Sequence, residues 1–280
     1  MEAVSINLKL IHVHGFGELE SETEFTLRYK KHLPVLLQNV EIEEFKWKTL
    51  PCESTVLTNN FKESELRTHS AASILADKIM KCQKPVFLSG FSLGAAVVVR
   101  TLSLVRDVKK VPGVVLFGAA IDKDYSLPKL SSDGLYLNYY SKDWDNTLRH
   151  AFYNAMGVAA AGTEGFSKPD QFINCRTSCF HSNFLPFGNC TYARLDQVVC
   201  GLIGWHFGVL EKGNAKSTKN SILVGKTKDW DDIYEFKNRI IQRHSVTGMV
   251  RAIEGGGLHR EICASKSVSQ VLRFIENLPS

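Results

Sequence analysis

A serine flanked by two glycines, Gly90-x-Ser92-x-Gly94, is the stretch of this sequence whose residue types point most directly to chemistry. It follows the apolar run 86–88, typical of a strand buried on both faces, and it precedes an apolar helix predicted over 93–108. A tight strand-to-helix turn exposes a serine hydroxyl at the carboxyl end of a sheet, and neighbouring glycines let two backbones approach closely. The pattern predicts a nucleophile elbow with Ser92 as the nucleophile, and an ordinary serine in a tight turn is the alternative.

A second glycine-containing segment, His14-Gly15-Phe16-Gly17, directly follows the first predicted strand. Glycines after a buried strand let the backbone turn sharply and leave amide N–H groups facing a developing oxyanion. We therefore expect the amides of Phe16 and Leu93 to form an oxyanion hole beside Ser92. An ordinary glycine turn, with His14 packed in the core, is the alternative interpretation.

The elements that must position these groups alternate along the chain. Strands are predicted at 4–13, 40–47, 86–88, 112–121, 134–141, 172–175, 222–224 and 249–253. Helices are predicted at 22–38, 64–82, 93–108, 147–162, 192–207, 231–242 and 265–278. The second of these helices is expected to bury six apolar residues, Leu66, Ala71, Ile74, Leu75, Ile79 and Met80. Such alternation predicts an α/β fold with a mostly parallel sheet and helices on both faces.

Composition and charge narrow the class of protein. The 280 residues are 44% hydrophobic and 22% charged, which is ordinary for a globular protein able to bury a full core. The net charge of +5 comes from scattered lysines and arginines, so we expect no nucleic-acid partner. The seven cysteines form no C-x-x-C pair and are odd in number, which favours free thiols in a reducing compartment.

From the sequence we expect no targeting signal, no membrane span and no cofactor motif. The first nine residues do not resemble a signal peptide, and no apolar run reaches the length of a membrane span. The sequence holds neither a G-x-x-x-x-G-K-[ST] phosphate loop nor an H-E-x-x-H metal motif. We therefore expect a cytoplasmic protein with no transmembrane segment, no cofactor and no metal, and contact with a membrane surface stays open.

The elbow, the glycine segment and the order of elements together resemble the α/β-hydrolase superfamily, on its lipase and esterase side, most clearly over residues 4–207. Within it the chain looks nearest to a group related to transmembrane and coiled-coil domain proteins. In that group the strand before the catalytic acid ends in Asn-x-Tyr-Ser, as in Asn138-Tyr139-Tyr140-Ser141 here. Phe91 is a departure, because many lipases carry histidine before the nucleophile.

The resemblance implies a catalytic acid on a loop after a strand later than Ser92, followed along the chain by a histidine. Asp143 is the preferred acid, because it lies two residues beyond the strand and its neighbour Trp144 would shield it. Asp145 is the local alternative, although it could simply cap the helix predicted from residue 147.

Three histidines are candidates for the base. His181 follows the short strand 172–175, and the segment His181-Ser182-Asn183-Phe184 resembles the one that carries the base in these relatives. His206 lies at the end of the helix predicted over 192–207, where a packed role is more common. His259 follows three glycines after the last predicted strand, and Asp229 would then be its acid. His181 is preferred, and the other two stay open.

The resemblance implies a serine hydrolase that cleaves carboxylic esters of small molecules or lipids through an acyl-enzyme. Residues 1–211 are predicted to form the hydrolase core, with 212–280 as a C-terminal extension packed on it or completing it. The loop-rich segment 157–190 is the candidate for a mobile cover. The competing hypothesis is a catalytically inactive hydrolase scaffold that acts as a binding protein. The oligomeric state stays undetermined.

Overall fold

The structure is a computed structural model that describes residues 7–16, 29, 40–50, 57–131, 134–142, 145–168, 172–176, 180–181, 199, 203, 230–236, 239–244, 250–254, 260–265 and 271. A single sheet runs through this part of the chain. Its strands are β1 (Lys9–Val13), β2 (Glu41–Phe45), β3 (Val86–Phe91), β4 (Gly113–Phe117), β5 (Leu135–Tyr140), β6 (Ile173–Arg176), β7 (Trp230–Phe236), β8 (Arg239–His244), β9 (Val250–Glu254) and β10 (Arg260–Ser265).

The strand order is β10-β9-β8-β7-β6-β5-β4-β3-β1-β2. Strands β1 to β6 pair in parallel with their neighbours. Strands β7 to β10 continue the sheet by antiparallel pairing, which begins where Arg176 of β6 lies opposite Glu235 of β7. The predicted α/β fold with a mostly parallel sheet is confirmed, with the parallel strands on one side of the sheet and the antiparallel strands on the other. The boundary predicted near residue 211 stays a prediction.

The helices of the described chain are α1 (Leu57–Lys81), α2 (Leu93–Leu104), α3 (Tyr153–Met156) and α4 (Ala161–Glu164), with a π-helical turn at Leu148–Phe152 leading into α3. Helix α1 packs against α2, and α2 packs against β1 and β3. The helical residue Tyr29 lies on the other side of the sheet, where its hydroxyl is 3.4 Å from Ser89 Oγ of β3.

The central strands are buried on both faces, as expected for parallel strands that are covered by helices on either side. Every residue of β3 and β4 is buried. Side chains that join the cluster around α1 and α2 include Ile11, Val13, Leu88, Val114 and Leu116. Side chains that alternate with these and are also fully buried include Leu10, Phe87, Val115 and Phe117. The sheet therefore holds the carboxyl ends of β1, β3, β4 and β5 rigidly side by side.

The predicted apolar face of α1 is partly wrong. Leu66 and Ile74 are more than 60% exposed, and Met80 is also exposed. The helix instead buries the stripe that faces α2, which includes the predicted residues Ala71, Leu75 and Ile79 and also Phe61, Ala72 and Ala76. Arg100 of α2 meets Glu65 and Thr68 of α1 in the same interface, so part of that stripe is polar.

The helix predicted over 231–242 is wrong, because the structure forms β7 and β8 there. The apolar residues Ile233, Phe236, Ile240 and Ile241 recur at helical spacing, which favoured the helix. The same segment is rich in β-branched and aromatic residues, and only two residues separate the strands, the length of a tight hairpin loop. Pairing with neighbouring strands favoured the strand conformation over the helix.

Other predicted elements meet the described residues to different extents. The strands predicted at 40–47, 86–88, 112–121, 134–141, 172–175 and 249–253 are confirmed with shifted ends, and α1 begins earlier than predicted. The helix predicted over 147–162 is broken into the π-helical turn, α3 and α4. The strand predicted at 222–224 and most of the helices predicted at 22–38, 192–207 and 265–278 lie outside the described residues.

Candidate active site

Ser92 lies at the sharp turn between β3 and α2, and its side chain emerges at the carboxyl end of the sheet. Its backbone has φ 54° and ψ −125°, and it is the one non-glycine residue with positive φ in the described part of the chain. Such a conformation is strained and persists only where the surroundings enforce it. The Ser92 amide donates to Phe117 O at 3.0 Å, and Ser92 O accepts from the amides of Ala95 and Ala120.

The two flanking glycines are needed because other backbones lie where a side chain would be. A Cβ on Gly94 would be 2.1 Å from the carbonyl oxygen of Val13, at the end of β1. A Cβ on Gly90 would be 2.8 Å from the Cα of Ala95, at the start of α2. Gly90 thus allows the close strand-to-helix contact expected from the sequence, whereas Gly94 lets α2 approach the neighbouring strand.

His181 lies beside Ser92 and bridges it to an aspartate. Its Nε2 is 3.0 Å from Ser92 Oγ, and its Nδ1 is 2.7 Å from Asp145 Oδ2. An ionised carboxylate can only accept, so Nδ1–H donates to Asp145, and Nε2 accepts the serine hydroxyl. The side chain of Asp145 is fully buried and that of His181 is nearly so, which shields the chain of hydrogen bonds from water.

Asp145 serves two structural roles with its two carboxylate oxygens. Oδ1 accepts the amide of Leu148 at 3.0 Å, and the Asp145 carbonyl accepts the amide of Arg149 at 3.1 Å. The capping role considered from the sequence is therefore present together with the contact to His181. The cap fixes the carboxylate at the start of the π-helical turn, so that Oδ2 is held toward the imidazole.

The structure does not test the remaining sequence candidates for base and acid. Asp143, the acid preferred from the sequence, lies outside the described residues, as do Asp229, His206 and His259. Within the described chain, the residues brought together are Ser92, His181 and Asp145. The signal in the sequence that could have favoured Asp145 is its position three residues before the helical turn, where a carboxylate is fixed by capping.

The segment proposed for the oxyanion hole runs beside the elbow. A Cβ on Gly15 would be 2.9 Å from the Cβ of Ser92, so this glycine is required by its close approach to Ser92. Phe16 follows it, and its ring makes an edge contact with Phe61 of α1. Leu93 is the first residue of α2, and the N–H groups of a first helical turn have no partner within the helix.

His14 anchors this segment from the other side. Its Nδ1–H donates to the carbonyl oxygen of Gly15 at 2.8 Å, and its Nε2 accepts the amide of Trp47 at 3.1 Å. The indole N–H of Trp47 donates back to the His14 carbonyl. Burial lowers the pKa of His14. The imidazole is therefore neutral at neutral pH, in the tautomer that both contacts require. His14 is thus a packed residue, as the alternative interpretation allowed, and it holds the backbone at Gly15.

Gly118, which follows β4, leaves room for the His181 imidazole. Its φ is +51°, and a Cβ placed on it would be 3.0 Å from both Cε1 and Nδ1 of His181 and 3.4 Å from Asp145 Oδ2. Its amide donates to the carbonyl of Tyr139 on β5, which fixes the position of the turn. A residue that sequence reasoning did not single out thus determines where the imidazole can lie.

No group of three His, Cys, Asp or Glu side chains in the described ranges could hold a metal ion. No helix in the part of the chain that the structure covers is both long and apolar enough to cross a bilayer. Cys82 and Cys175 are free thiols.

One family model and several solved structures are similar to part of this chain. A family model described as a protein of unknown function (DUF726) matches residues 45–178, which include Ser92 and Asp145 but not His181. Among curated proteins, no sequence matches this chain.

Three of the solved structures that are similar to this chain share 10–14% sequence identity with it. One is described as a YdeN-like hydrolase from Pectobacterium atrosepticum, with 14% identity, a TM-score of 0.35 and coverage of 69% of this chain and 92% of that one. Another is the catalytic core domain of acetyl xylan esterase from Trichoderma reesei, with 10% identity, a TM-score of 0.38 and coverage of 63% of this chain and 83% of that one. The third is described as an α/β serine hydrolase without a lid from Xanthomonas campestris, with 12% identity, a TM-score of 0.35 and coverage of 64% of this chain and 75% of that one. One fold hosts many activities, so the chemistry of this chain depends on its own side chains.

Proposed function

We propose that this protein is a serine hydrolase that cleaves carboxylic esters, with Ser92 as nucleophile, His181 as general base and Asp145 as the carboxylate that orients it. One observation carries the proposal, the continuous chain of hydrogen bonds from Ser92 Oγ through the imidazole to Asp145 Oδ2. A serine hydroxyl is a weak nucleophile at neutral pH, and an adjacent neutral imidazole activates it. The strained elbow at Ser92 supports the same assignment.

Acylation follows from this geometry. Ser92 Oγ attacks the ester carbonyl carbon while its proton passes to His181 Nε2, and the carbonyl oxygen takes the negative charge. Asp145 stabilises the imidazolium through the Nδ1–H bond without taking the proton. When the tetrahedral intermediate collapses, the ester C–O bond breaks and the leaving alkoxide takes the proton from Nε2. The alcohol departs and the acyl group stays on Ser92.

Deacylation repeats the sequence with water. The water gives a proton to His181 Nε2 as its oxygen attacks the acyl carbon, and the second intermediate then expels Ser92 Oγ, which recovers that proton. The products are a carboxylic acid and the free enzyme. In both halves the backbone amides of Leu93 and Phe16 would donate to the oxyanion, and the positive end of α2 adds to this stabilisation.

The substrate part of the proposal is an ester of a small molecule or lipid. Phe16 follows Gly15, which lies against Ser92, and Phe91 directly precedes Ser92, so the backbone segments beside the nucleophile carry aromatic residues. The Phe16 ring contacts that of Phe61, which is buried. Trp144, the third aromatic residue considered from the sequence, lies outside the described residues. Contact with a membrane surface, a cytoplasmic location and membership of the group related to transmembrane and coiled-coil domain proteins remain part of the proposal.

Labelling with a fluorophosphonate probe tests the proposal, because the probe reacts with a serine only when a base activates it. The wild type should label, and folded Ser92→Ala and His181→Ala should not. His206→Ala and His259→Ala are the matched histidine variants, and both should label like the wild type. A folded wild type that stays unlabelled would favour the inactive scaffold, and loss of labelling in only one of the matched variants would assign the base to that histidine.

A further inference from the structure

The side chain of Phe91 packs against the imidazole of His181, the proposed base. Phe91 is the last residue of β3, directly before Ser92, and only 5% of its surface is exposed. Its ring centroid is 4.7 Å from that of the His181 imidazole, and the two planes are inclined by 33°. The imidazole therefore lies over the face of the phenyl ring.

The phenyl ring also lies close to the segment that contains Gly15. A Cβ on Gly15 would be 3.0 Å from Phe91 Cδ1, so the backbone of this segment lies directly against the ring. Gly118 lies beside the imidazole, since a Cβ added to it would be 3.0 Å from both Cε1 and Nδ1 of His181. Phe91 and Gly118 together confine the imidazole within the site, while Ser92 and Asp145 define its two hydrogen bonds.

We propose that Phe91 is a positioning residue for the proposed hydrolase, one whose ring face holds the His181 imidazole in line with Ser92 and stabilises the imidazolium formed during attack. The inference rests on the proposed function, since it concerns the base of that reaction. Its chemical class of interaction is a cation–π contact that reaches full strength only when the imidazole becomes charged.

The physical argument depends on when the charge appears. A cation within about 6 Å of an aromatic centroid is attracted by the ring quadrupole, most strongly where water is excluded. In the proposed reaction the imidazole gains a positive charge when it takes the proton of Ser92, so its contact with the ring is stronger in the transition state than in the ground state. Only such differential contacts speed the chemical step. An aliphatic side chain of similar size would fill the space without this contribution.

Phosphonylation by a fluorophosphonate measures the step directly, because Ser92 attacks phosphorus while His181 accepts the proton and fluoride leaves. Phe91→Leu and Phe91→Met fill the site without a ring face, and Phe91→Tyr keeps the ring face. We expect the limiting rate of phosphonylation to fall roughly 10-fold in the first two, with the probe's half-saturation concentration unchanged, and to stay within about twofold of wild type in the third.

Phe87→Leu is the matched control. Phe87 is fully buried on the same face of β3, four residues earlier, so the substitution removes the same ring from the same strand. It should lower the melting temperature at least as much as Phe91→Leu while leaving the phosphonylation rate near wild type. The rate and the melting temperature thus separate positioning from general packing.

The outcomes distinguish this inference from the proposed function. A wild type that labels at Ser92, with Phe91→Leu reacting as fast, overturns the role of Phe91 alone. A change confined to the half-saturation concentration overturns it too, because Phe91 would then contact substrate rather than position the base. A folded wild type that never labels overturns both. If Phe91→Tyr fails to fold, the comparison of Phe91→Leu and Phe91→Met with Phe87→Leu decides.

Discussion

Asp145 Oδ2 lies 2.7 Å from His181 Nδ1, although 36 residues separate the two along the chain. The acid follows β5 and the histidine follows β6, and these strands are parallel neighbours in the sheet. Parallel pairing brings the carboxyl ends of both strands to one edge, where the two loops meet Ser92. The contact therefore depends on the pairing of β5 with β6.

Asp145→Asn should lower turnover by about 10 000-fold with little loss of stability. The amide can still accept the Leu148 amide as a cap through its oxygen, but it cannot hold the imidazole in the required tautomer or balance its charge. Ester hydrolysis and the urea midpoint would be measured together.

Asp107→Asn is the matched control for the cap, because Asp107 accepts the Lys109 amide at a short helical turn on the surface. It should leave turnover unchanged. Asp143→Asn measured beside Asp145→Asn decides between the two acids, since the assignment made here fails if only the Asp143 variant loses activity.

Gly118→Ala should lower turnover by roughly 100-fold. The new methyl group would meet His181 and displace the imidazole from Ser92, and misplacement by about 1 Å is enough for such a loss. The positive φ also costs about 1 kcal/mol of folding free energy in any residue with a side chain.

Gly157→Ala separates the collision from the backbone strain. Gly157 also has positive φ, 73°, but a Cβ there would meet nothing within 4 Å. Its alanine variant should lose a similar amount of stability and keep its turnover. Equal turnover in the two glycine variants would show that Gly118 does not limit the position of the base.

The free energy of unfolding should fall as the pH drops below about 6.5. Burial lowers the pKa of His12 well below its usual value, to which the charge of His14 adds, and burial also lowers the pKa of His14. Between the folded pKa values and 6.5 the unfolded chain binds more protons than the folded one, so stability rises with pH across that range. Above 6.5 this contribution is fully present.

Urea unfolding between pH 5 and pH 8 measures the effect. His12→Gln should flatten part of the pH dependence, because glutamine does not titrate. His69→Gln, on an exposed position of α1, should leave the dependence as in the wild type. A wild type whose urea midpoint stays constant from pH 8 to pH 5 would contradict the assignment.

Cys175 should resist thiol reagents in the folded protein. It is buried on β6, and burial raises the pKa of its thiol, so the reactive thiolate is scarce. Cys82, which is only partly buried at the end of α1, should react first. Mass spectrometry after iodoacetamide treatment, with and without urea, distinguishes the two, and rapid modification of Cys175 without urea would refute the prediction.

Local sequence was enough to predict the elbow. The strand, the turn and the helix around Ser92 all lie within 86–104. Their glycines are needed because neighbouring backbone leaves no room for a side chain, as the motif implies. The order of strands and helices likewise predicted a mostly parallel sheet, because alternating elements must pack in layers.

The sequence alone did not predict the structure of segments whose apolar spacing fits more than one arrangement. Residues 231–242 have apolar spacing that suits a helix, yet they pair as β7 and β8, because partners in the sheet override local preference. Leu66 and Ile74 suit an apolar helix face but are exposed, because α2 packs on a neighbouring stripe that includes Glu65.

The sequence by itself determined that a serine would stand on a strained turn with histidines and aspartates later in the chain. Among the described residues, only the tertiary structure decided that His181 lies between Ser92 and Asp145. Asp143 and Asp145 are two residues apart, and capping of the turn at Leu148 is what directs the Asp145 carboxylate. Phe91 and Gly118 acquire their contacts with His181 only after β3, β4, β5 and β6 have aligned. Distances between loops on separate strands depend on the packing of the whole sheet, which no local pattern records.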